Sequence, residues 1–265
     1  MTGGITTLVL AGSRGAEDPV AKHAGLSHKA VVPVAGTPML ARVLETLLAS
    51  RGVGCIGVSI ERPELVEGLP GMAAHLASGR VRVLPAAGSP ARSVLATLAT
   101  CGTPLFVTTA DHALLTPAMV EHFLYNLPPD ADVAAGLARA ETIRAAYPET
   151  QRTYLRFPDL TASGCNLFAF RTPHAKGVAE FWRAVEQNRK QPLKMIRLLG
   201  LWHVLRFAAG RLTFAAVVER LEELTEARIG WVDMPFAEAA IDVDKPADLE
   251  LAEVILRRRA ALPSA

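Results

Sequence analysis

The chain has 265 residues, half of them hydrophobic, with 28 Lys and Arg against 26 Asp and Glu and a formal net charge of +2. That length and apolar content suffice to bury a full core, and we read a single domain over 1–265. A charge this close to neutral gives an extended basic surface for nucleic acid little support, so no nucleic-acid partner is expected and any anion site should be local.

The opening MTGGITTLVLAG has no basic n-region and no apolar h-region leading to a cleavage site. It reads as a mature cytosolic N-terminus, so the expected localisation is cytoplasmic. Ile5 to Leu10 is strand-like. Met39 to Ser50 carries apolar residues at helical spacing, and Cys55 to Ile60 is strand-like again. Val81 to Leu84 follows, then a helix over Ala91 to Thr100, the strand PLFVTT (Pro104 to Thr109), and a helix opened by Thr116-Pro117, where Thr caps and Pro suits the first helical position. DVAAGLA supplies a further strand. This alternation predicts a three-layer α/β/α fold with a mostly parallel, mixed central sheet, Rossmann-like in kind.

After Ala138 the rhythm changes. Thr153 to Leu155 and Asn166 to Phe170 read as shorter strands flanking a turn at TASG, and a helical insertion is expected at about 174–224, broken near Gln191-Pro192 and Gly210. RIGWVDMPF returns as a strand, and the last helix, from Pro246, ends in three arginines that suit a helix C-terminus. Cys55, Cys101 and Cys165 lie far apart without a C-x-x-C pair, against zinc and against a disulfide framework, and are expected to be buried bystanders. The apolar run from Leu198 to Val218 is interrupted by His203, Arg206 and Arg211. Each cation near a bilayer centre costs about 2.5–3.5 kcal/mol, so no membrane span is expected.

In an open parallel sheet, ligands bind outside the carboxyl ends of the strands, so the loops after strands are where chemistry sits. The first is AGSRG, Ala11 to Gly15. Small residues let backbone N–H groups approach an anion, and Arg14 adds a fork that grips phosphate oxygens. A plain turn is the competing reading. The second feature is HKAVVPVAGTPML, in which Lys29 precedes an apolar segment and a Gly-Thr-Pro turn that launches a helix. The third is VTTADHALLTP, with Asp111 just past a strand, where a carboxylate beside a bound triphosphate suits Mg²⁺.

Together LAGSRG and HKAVVPVAGTPML resemble the signature of the GT-A-type nucleotidyltransferases, the group holding sugar-phosphate nucleotidyltransferases and molybdenum-cofactor guanylyltransferase-like proteins. The resemblance implies the GT-A nucleotidyltransferase fold. It also implies that the loop Leu10, Ala11, Gly12, Ser13 and Arg14 wraps a nucleoside triphosphate, with Arg14 and Lys29 neutralising its charge. Ser13 stands where the family has a second glycine, and Arg14 precedes Gly15 instead of following it, so loop geometry departs from the pattern. Lys22 and His23 compete for the phosphate, or are solvated loop charges.

The strand ending at Asp111 is similar to the family's D-x-P-L-L-T-P element, with His112-Ala113 replacing its middle. AIDVDKPADLELAE is similar to the late N/D-x-P-x-D-L element. That implies Asp111 and Asp244 as ligands of Mg²⁺, with Asp242 a rival and Asp248 a helix N-terminal charge. AAGSPARSVLATL resembles a base- or ribose-contacting segment of cytidylyltransferase-like members, which nominates Ser93 and gives CTP a slight preference over GTP; Ser89 and Arg92 are weaker choices, Ser89 being equally a helix cap. TASGCNLFAF resembles an acceptor-side element, nominating Gly164 and Asn166, although Asn166 equally suits a turn.

The implied activity is Mg²⁺-dependent transfer of an NMP group from an NTP to a phosphorylated small-molecule acceptor. The rivals are a GT-A glycosyltransferase, which would ordinarily show a D-x-D pair where this chain has Asp111-His112-Ala113, and a nucleotide-binding protein without catalysis. The stretch RKQPLKMIRLLGLWHVLRFAAGRLTF, about 189–214, lies outside the family pattern. Two readings stand for it: a core-facing helix pair with basic solvent faces, or a segment in peripheral contact with a membrane surface.

Overall fold

The structure, a computed structural model, describes residues 4–13, 17–150, 152–188, 191, 194, 196 and 200–261. The first half runs β1 (Ile5–Leu10), α1 (Pro19–His23), β2 (Pro33–Val34), β3 (Thr37–Pro38), α2 (Met39–Ala49), β4 (Val53–Ile60), α3 (Glu64–Glu67), α4 (Ala73–Ala77), β5 (Val81–Pro85), α5 (Pro90–Cys101), β6 (Leu105–Thr109) and α6 (Pro117–Tyr125). The second runs β7 (Val133–Arg139), α7 (Ala140–Ala146), β8 (Leu155–Arg156), β9 (Thr161–Phe170), α8 (Ala175–Asn188), α9 (Leu201–Ala208), α10 (Phe214–Thr225), β10 (Ile229–Asp233) and α11 (Pro246–Ala261).

The central sheet has the order β10-β7-β9-β6-β1-β4-β5, with β8 added on β9. Its pairings are parallel except those made by β9, which runs antiparallel to β6, β7 and β8. The fold is therefore the three-layer α/β/α arrangement with a mixed, mostly parallel sheet. Alternation along the strands explains the layers: successive side chains point to opposite faces. Leu8, Leu105 and Val107 pack with α5 and α8 on one face, while Val9 and Phe106 pack with α2 and α6 on the other. A third cluster, including Val20, Val32, Met39, Leu114, Ile241 and Val243, joins α1, the β2–β3 hairpin and α11.

Three expectations need correcting. TASG is not a turn but the start of β9; the turn is at Phe157–Leu160, where Phe157 and Leu160 exchange backbone hydrogen bonds of 2.8 and 3.3 Å. Pro158 and Asp159, ordinary turn residues, sit in it. The cysteines are not all buried: Cys165 is, Cys55 is half-buried and Cys101 is exposed at the end of α5. Finally, α9 is not core-facing. It buries none of its residues, and Leu201, Trp202, Leu205 and Phe207 are 60%, 68%, 52% and 60% exposed. The rest of 189–214 lies partly outside the described residues. No helix among the described residues is long and apolar enough to cross a membrane.

Candidate active site

His28 caps the short 3-10 turn Lys29–Val31 through its side chain, Nδ1 accepting from the Ala30 N–H at 3.1 Å. That leaves Nε2 to donate to Glu61 Oε1 at 3.0 Å. The turn feeds the β2–β3 hairpin, whose two turn residues, Ala35 and Gly36, both have positive φ (48° and 82°), the left-handed conformation such a short loop demands and glycine adopts without strain. Lys29 is thus held between a fixed cap and a tight hairpin.

Its ammonium reaches two carboxylates at once: Asp111 Oδ2 at 2.7 Å and Asp244 Oδ1 at 2.6 Å. The two acids are consequently no further apart than those two bonds laid end to end. Burial opposes the charge on Lys29, but Asp111 and Asp244 more than offset it and push the ammonium up to about 12. Burial likewise disfavours a charged Asp244, yet Lys29 holds it below the usual carboxylate value.

Each acid is placed by its own scaffold. Asp111 lies in the turn after β6, and Thr109, the last residue of that strand, donates its hydroxyl to Asp111 Oδ1 at 2.5 Å. Thr116 caps α6 by accepting from the Met119 N–H, so Asp111 is not used as a cap. Asp244 precedes α11, where Asp248 accepts the backbone N–H groups of Asp244 and Lys245 at 3.1 and 2.9 Å. The Val243 N–H donates to the Asp111 carbonyl at 3.0 Å, tying the two acid-bearing segments together.

The first loop lies beside them. Leu10 is registered with Thr109, and the Ala110 N–H donates to the Leu10 carbonyl at 2.9 Å. The Ala11 N–H is taken by the Ser59 carbonyl, whereas the Ser13 N–H points at an anion, Glu61 Oε1, at 3.2 Å. Arg14 falls outside the described residues. Lys22 and His23 lie on α1, exposed, away from this cluster of contacts. Ser93 is buried: its hydroxyl accepts from Ser59 Oγ at 2.9 Å and from the Ala87 N–H at 3.1 Å, linking it through Ser59 to the first loop. Ser89 caps α5, accepting from the exposed Arg92.

The family profile of the MobA-like NTP transferase domain matches residues 7–231, most of the chain. The chain belongs to that family. No curated protein sequence matches it. Among solved structures, this MobA-like NTP transferase domain is similar to a hypothetical transferase from Thermus thermophilus, at 29% identity and a TM-score of 0.77, over 93% of this chain and 99% of that one. It shares its fold with CMP:2-keto-3-deoxy-manno-octonic acid synthetase in complex with CTP, at 16% identity and a TM-score of 0.58, over 98% of this chain and 100% of that one. The 4-diphosphocytidyl-2C-methyl-D-erythritol synthase of Anaerococcus prevotii is alike to the same degree, TM-score 0.58 at 11% identity, over 97% of each chain.

Behind the Lys29 cluster, the MobA-like domain carries a second polar group. Arg152, a nearly buried guanidinium, pairs with Asp242 and donates to Asp248 Oδ1 at 3.0 Å. Asn166 Nδ2 donates to Asp242 Oδ2 at 3.1 Å. Asn166 reaches it because β9 is bulged: between the pairs Ala135–Phe168 and Leu137–Gly164, β9 spends four residues to the two of β7. Asn166 sits in the bulge with φ of 50°, a value Asn tolerates, and the bulge re-aims its side chain. Burial raises the pKa of Asp242 in spite of Arg152, with Asp244 and Asp111 adding to the rise. Gly164 is exposed, with open space where a Cβ would stand.

Arg152, Thr109, Ser59, His28 and Glu61 were not singled out in the sequence. Thr109 was legible, ending the strand two residues before Asp111; Arg152, in an irregular segment, gave no local signal. His112 is fully buried beside Asp111, against the Glu238–Ala239 backbone, with neither ring nitrogen in a hydrogen bond among the described residues. Burial, with Arg259 nearby, holds its pKa down at about 4 against the pull of Asp111, so its ring is neutral near pH 7.

Proposed function

We propose that this MobA-like domain transfers an NMP group from an NTP, CTP by slight preference over GTP, to a phosphorylated small-molecule acceptor with release of pyrophosphate. The observation that carries this reading is the meeting of Asp111 and Asp244 on Lys29, beside a loop whose Ser13 amide already takes an anionic oxygen. In this reading Leu10, Ala11, Gly12, Ser13 and Arg14 receive the triphosphate, Ser93 supports the base or ribose side through Ser59, and Gly164 and Asn166 face the acceptor.

The donor set fits Mg²⁺. Two carboxylates converge on one point, and that ion ordinarily takes one or two protein carboxylates and completes its shell with phosphate oxygens and water. Among the described residues no group of three or more His, Cys, Asp or Glu side chains is disposed to hold a metal alone. Bound there, Mg²⁺ would supply neutralisation of phosphate charge. The rest falls to side chains. An acceptor phosphate is already ionised at neutral pH, so no general base is required; orienting the attacking oxygen in line with the leaving pyrophosphate dominates. Lys29 places positive charge where the α-phosphate and the leaving group accumulate negative charge, and Arg14 adds to it from the loop. The D-x-D pair usual in a GT-A glycosyltransferase has no counterpart at Asp111-His112-Ala113.

The test is pyrophosphate release on incubation with each of the four NTPs, Mg²⁺ and a panel of sugar and polyol phosphates. Release with one NTP and a phosphorylated acceptor, together with the nucleotide-linked product, is the expected result. Binding of NTPs without pyrophosphate from any acceptor would favour the non-catalytic reading.

A further inference from the structure

We propose that α9 is an anchor that lays this domain on an anionic membrane surface. Leu201, Trp202 and Leu205, at positions i, i+1 and i+4, share one face of the helix, and all three are more than half exposed. Such a contiguous apolar face on an eight-residue helix with nothing buried is not a core element. Its seat on the body is aromatic: Phe207 meets Phe157 with ring centroids 6.3 Å apart, and Phe157 continues to Phe214 at 5.7 Å. The helix is thereby held out on the β8–β9 turn with its Leu-Trp-Leu face outward.

Charge identifies what covers that face. Residues 187–218 contain six Lys or Arg and no Asp or Glu, more than the whole net charge of +2, so the remainder of the chain is net acidic. Of these cations, Arg206 borders the apolar face one position beyond Leu205, Arg211 is exposed just past the helix, and Lys194 is exposed before it. A strip that is at once basic and apolar complements lipid: cations meet anionic headgroups while Leu and Trp enter the headgroup–acyl boundary, the level at which Trp is favoured. A nucleic acid would use the cations but leave Leu201, Trp202 and Leu205 in water. A neutral protein surface would not call for this local excess of cations, and an acidic, polar one would pair with them but leave Leu201, Trp202 and Leu205 uncovered. Since no described helix can span a bilayer, the contact is peripheral and reversible.

The experiment is flotation of the full chain with vesicles of phosphatidylcholine alone or mixed with phosphatidylglycerol, at low and high salt, beside the double variant Trp202→Glu/Leu205→Glu. The expected result is binding to the anionic vesicles, weakened about tenfold or more by high salt and by the double variant. A blue-shifted, lipid-dependent fluorescence change that disappears in Trp202→Phe should accompany it. Thermal melting and NTP-dependent stabilisation should be unchanged in the variants, because Trp202 and Leu205 are more than half exposed and neither belongs to the Lys29 cluster. Failure of the parent chain to bind anionic vesicles at low salt overturns the proposal, as does binding that survives the double variant. Lipid-free dimerisation abolished by Leu205→Glu would also overturn it, giving the face to a second copy of the chain. None of these readouts depends on turnover, so they stand apart from the nucleotidyl reading.

Discussion

Asp111 and Asp244, from opposite halves of the chain, share a single ammonium, that of Lys29, at 2.7 and 2.6 Å. Two like charges brought this close repel unless a cation lies between them. The arrangement is thus built around positive charge.

Asp111→Asn or Asp244→Asn should lower kcat/KM for pyrophosphate release by about 10²–10³, the scale on which losing one preorganised charge partner is felt. Asp242→Asn should behave differently. Its carboxylate is engaged by Arg152 and Asn166, so the change should cost about 3 kcal/mol of stability by leaving Arg152 underpaired, with turnover within about tenfold of the parent. Parallel kinetics and urea titrations of the three variants check this; equal loss of activity in all three would make Asp242 a partner in the chemistry.

Lys29→Met should reduce both turnover and stability, the latter by about 1–3 kcal/mol, because the two acids lose their common partner. The pH dependence has a definite sign. Lys29 is raised from its ordinary 10.5 to about 12, so its contribution is complete below 10.5 and lost only as pH rises through about 12. Melting temperatures of parent and variant should therefore differ by the same amount from pH 6 to pH 9. A gap that narrows across that range would show the ammonium titrating lower.

His112 gives an acid limb. Its pKa is depressed from 6.5 to about 4 by burial, so its contribution to stability is present above 6.5 and is lost as pH falls toward 4, where the unfolded chain takes up a proton the folded one refuses. The slope is at most about 1.4 kcal/mol per pH unit. In His112→Leu that component should vanish from denaturation free energies measured between pH 7 and pH 4.5. An unchanged slope would place the acid sensitivity elsewhere.

Gly177 on α8 lies against the end of α10, where an added Cβ would stand 2.2 Å from the Thr225 carbonyl oxygen. Backbone cannot yield as a flexible side chain does, so Gly177→Ala should cost about 1–3 kcal/mol and displace α10. Pyrophosphate release per folded molecule should be unaffected. Denaturant midpoints and activity on the same samples check both halves.

Much of the fold was written locally. The alternation of Leu8 and Val9 in β1, the helical spacing of Met39, Leu40, Val43 and Leu44, and the Thr116-Pro117 helix start are short-range properties, and those elements formed where periodicity and capping put them. Lys29 was nominated by the family resemblance of its motif, and Asp111 by its place just past a strand together with that resemblance. Local pattern failed at TASG, because a strand with small residues looks like a turn until its partners are known; β9 is a strand because β6 and β7 hold it from both sides.

Tertiary structure alone decided the rest. Alternation on one extended segment does not distinguish Asp242 from Asp244, and only the family resemblance preferred Asp244; their different partners, Lys29 for Asp244 against Arg152, some ninety residues earlier, and Asn166 in the β9 bulge for Asp242, come from the tertiary structure. Likewise only packing shows that α9 turns Leu201, Trp202 and Leu205 to solvent, since an apolar stripe reads the same facing a core or facing outward. Side-chain periodicity is set by a few neighbouring residues, whereas a charge partner or a covered face is set by whatever distant segment the sheet brings alongside.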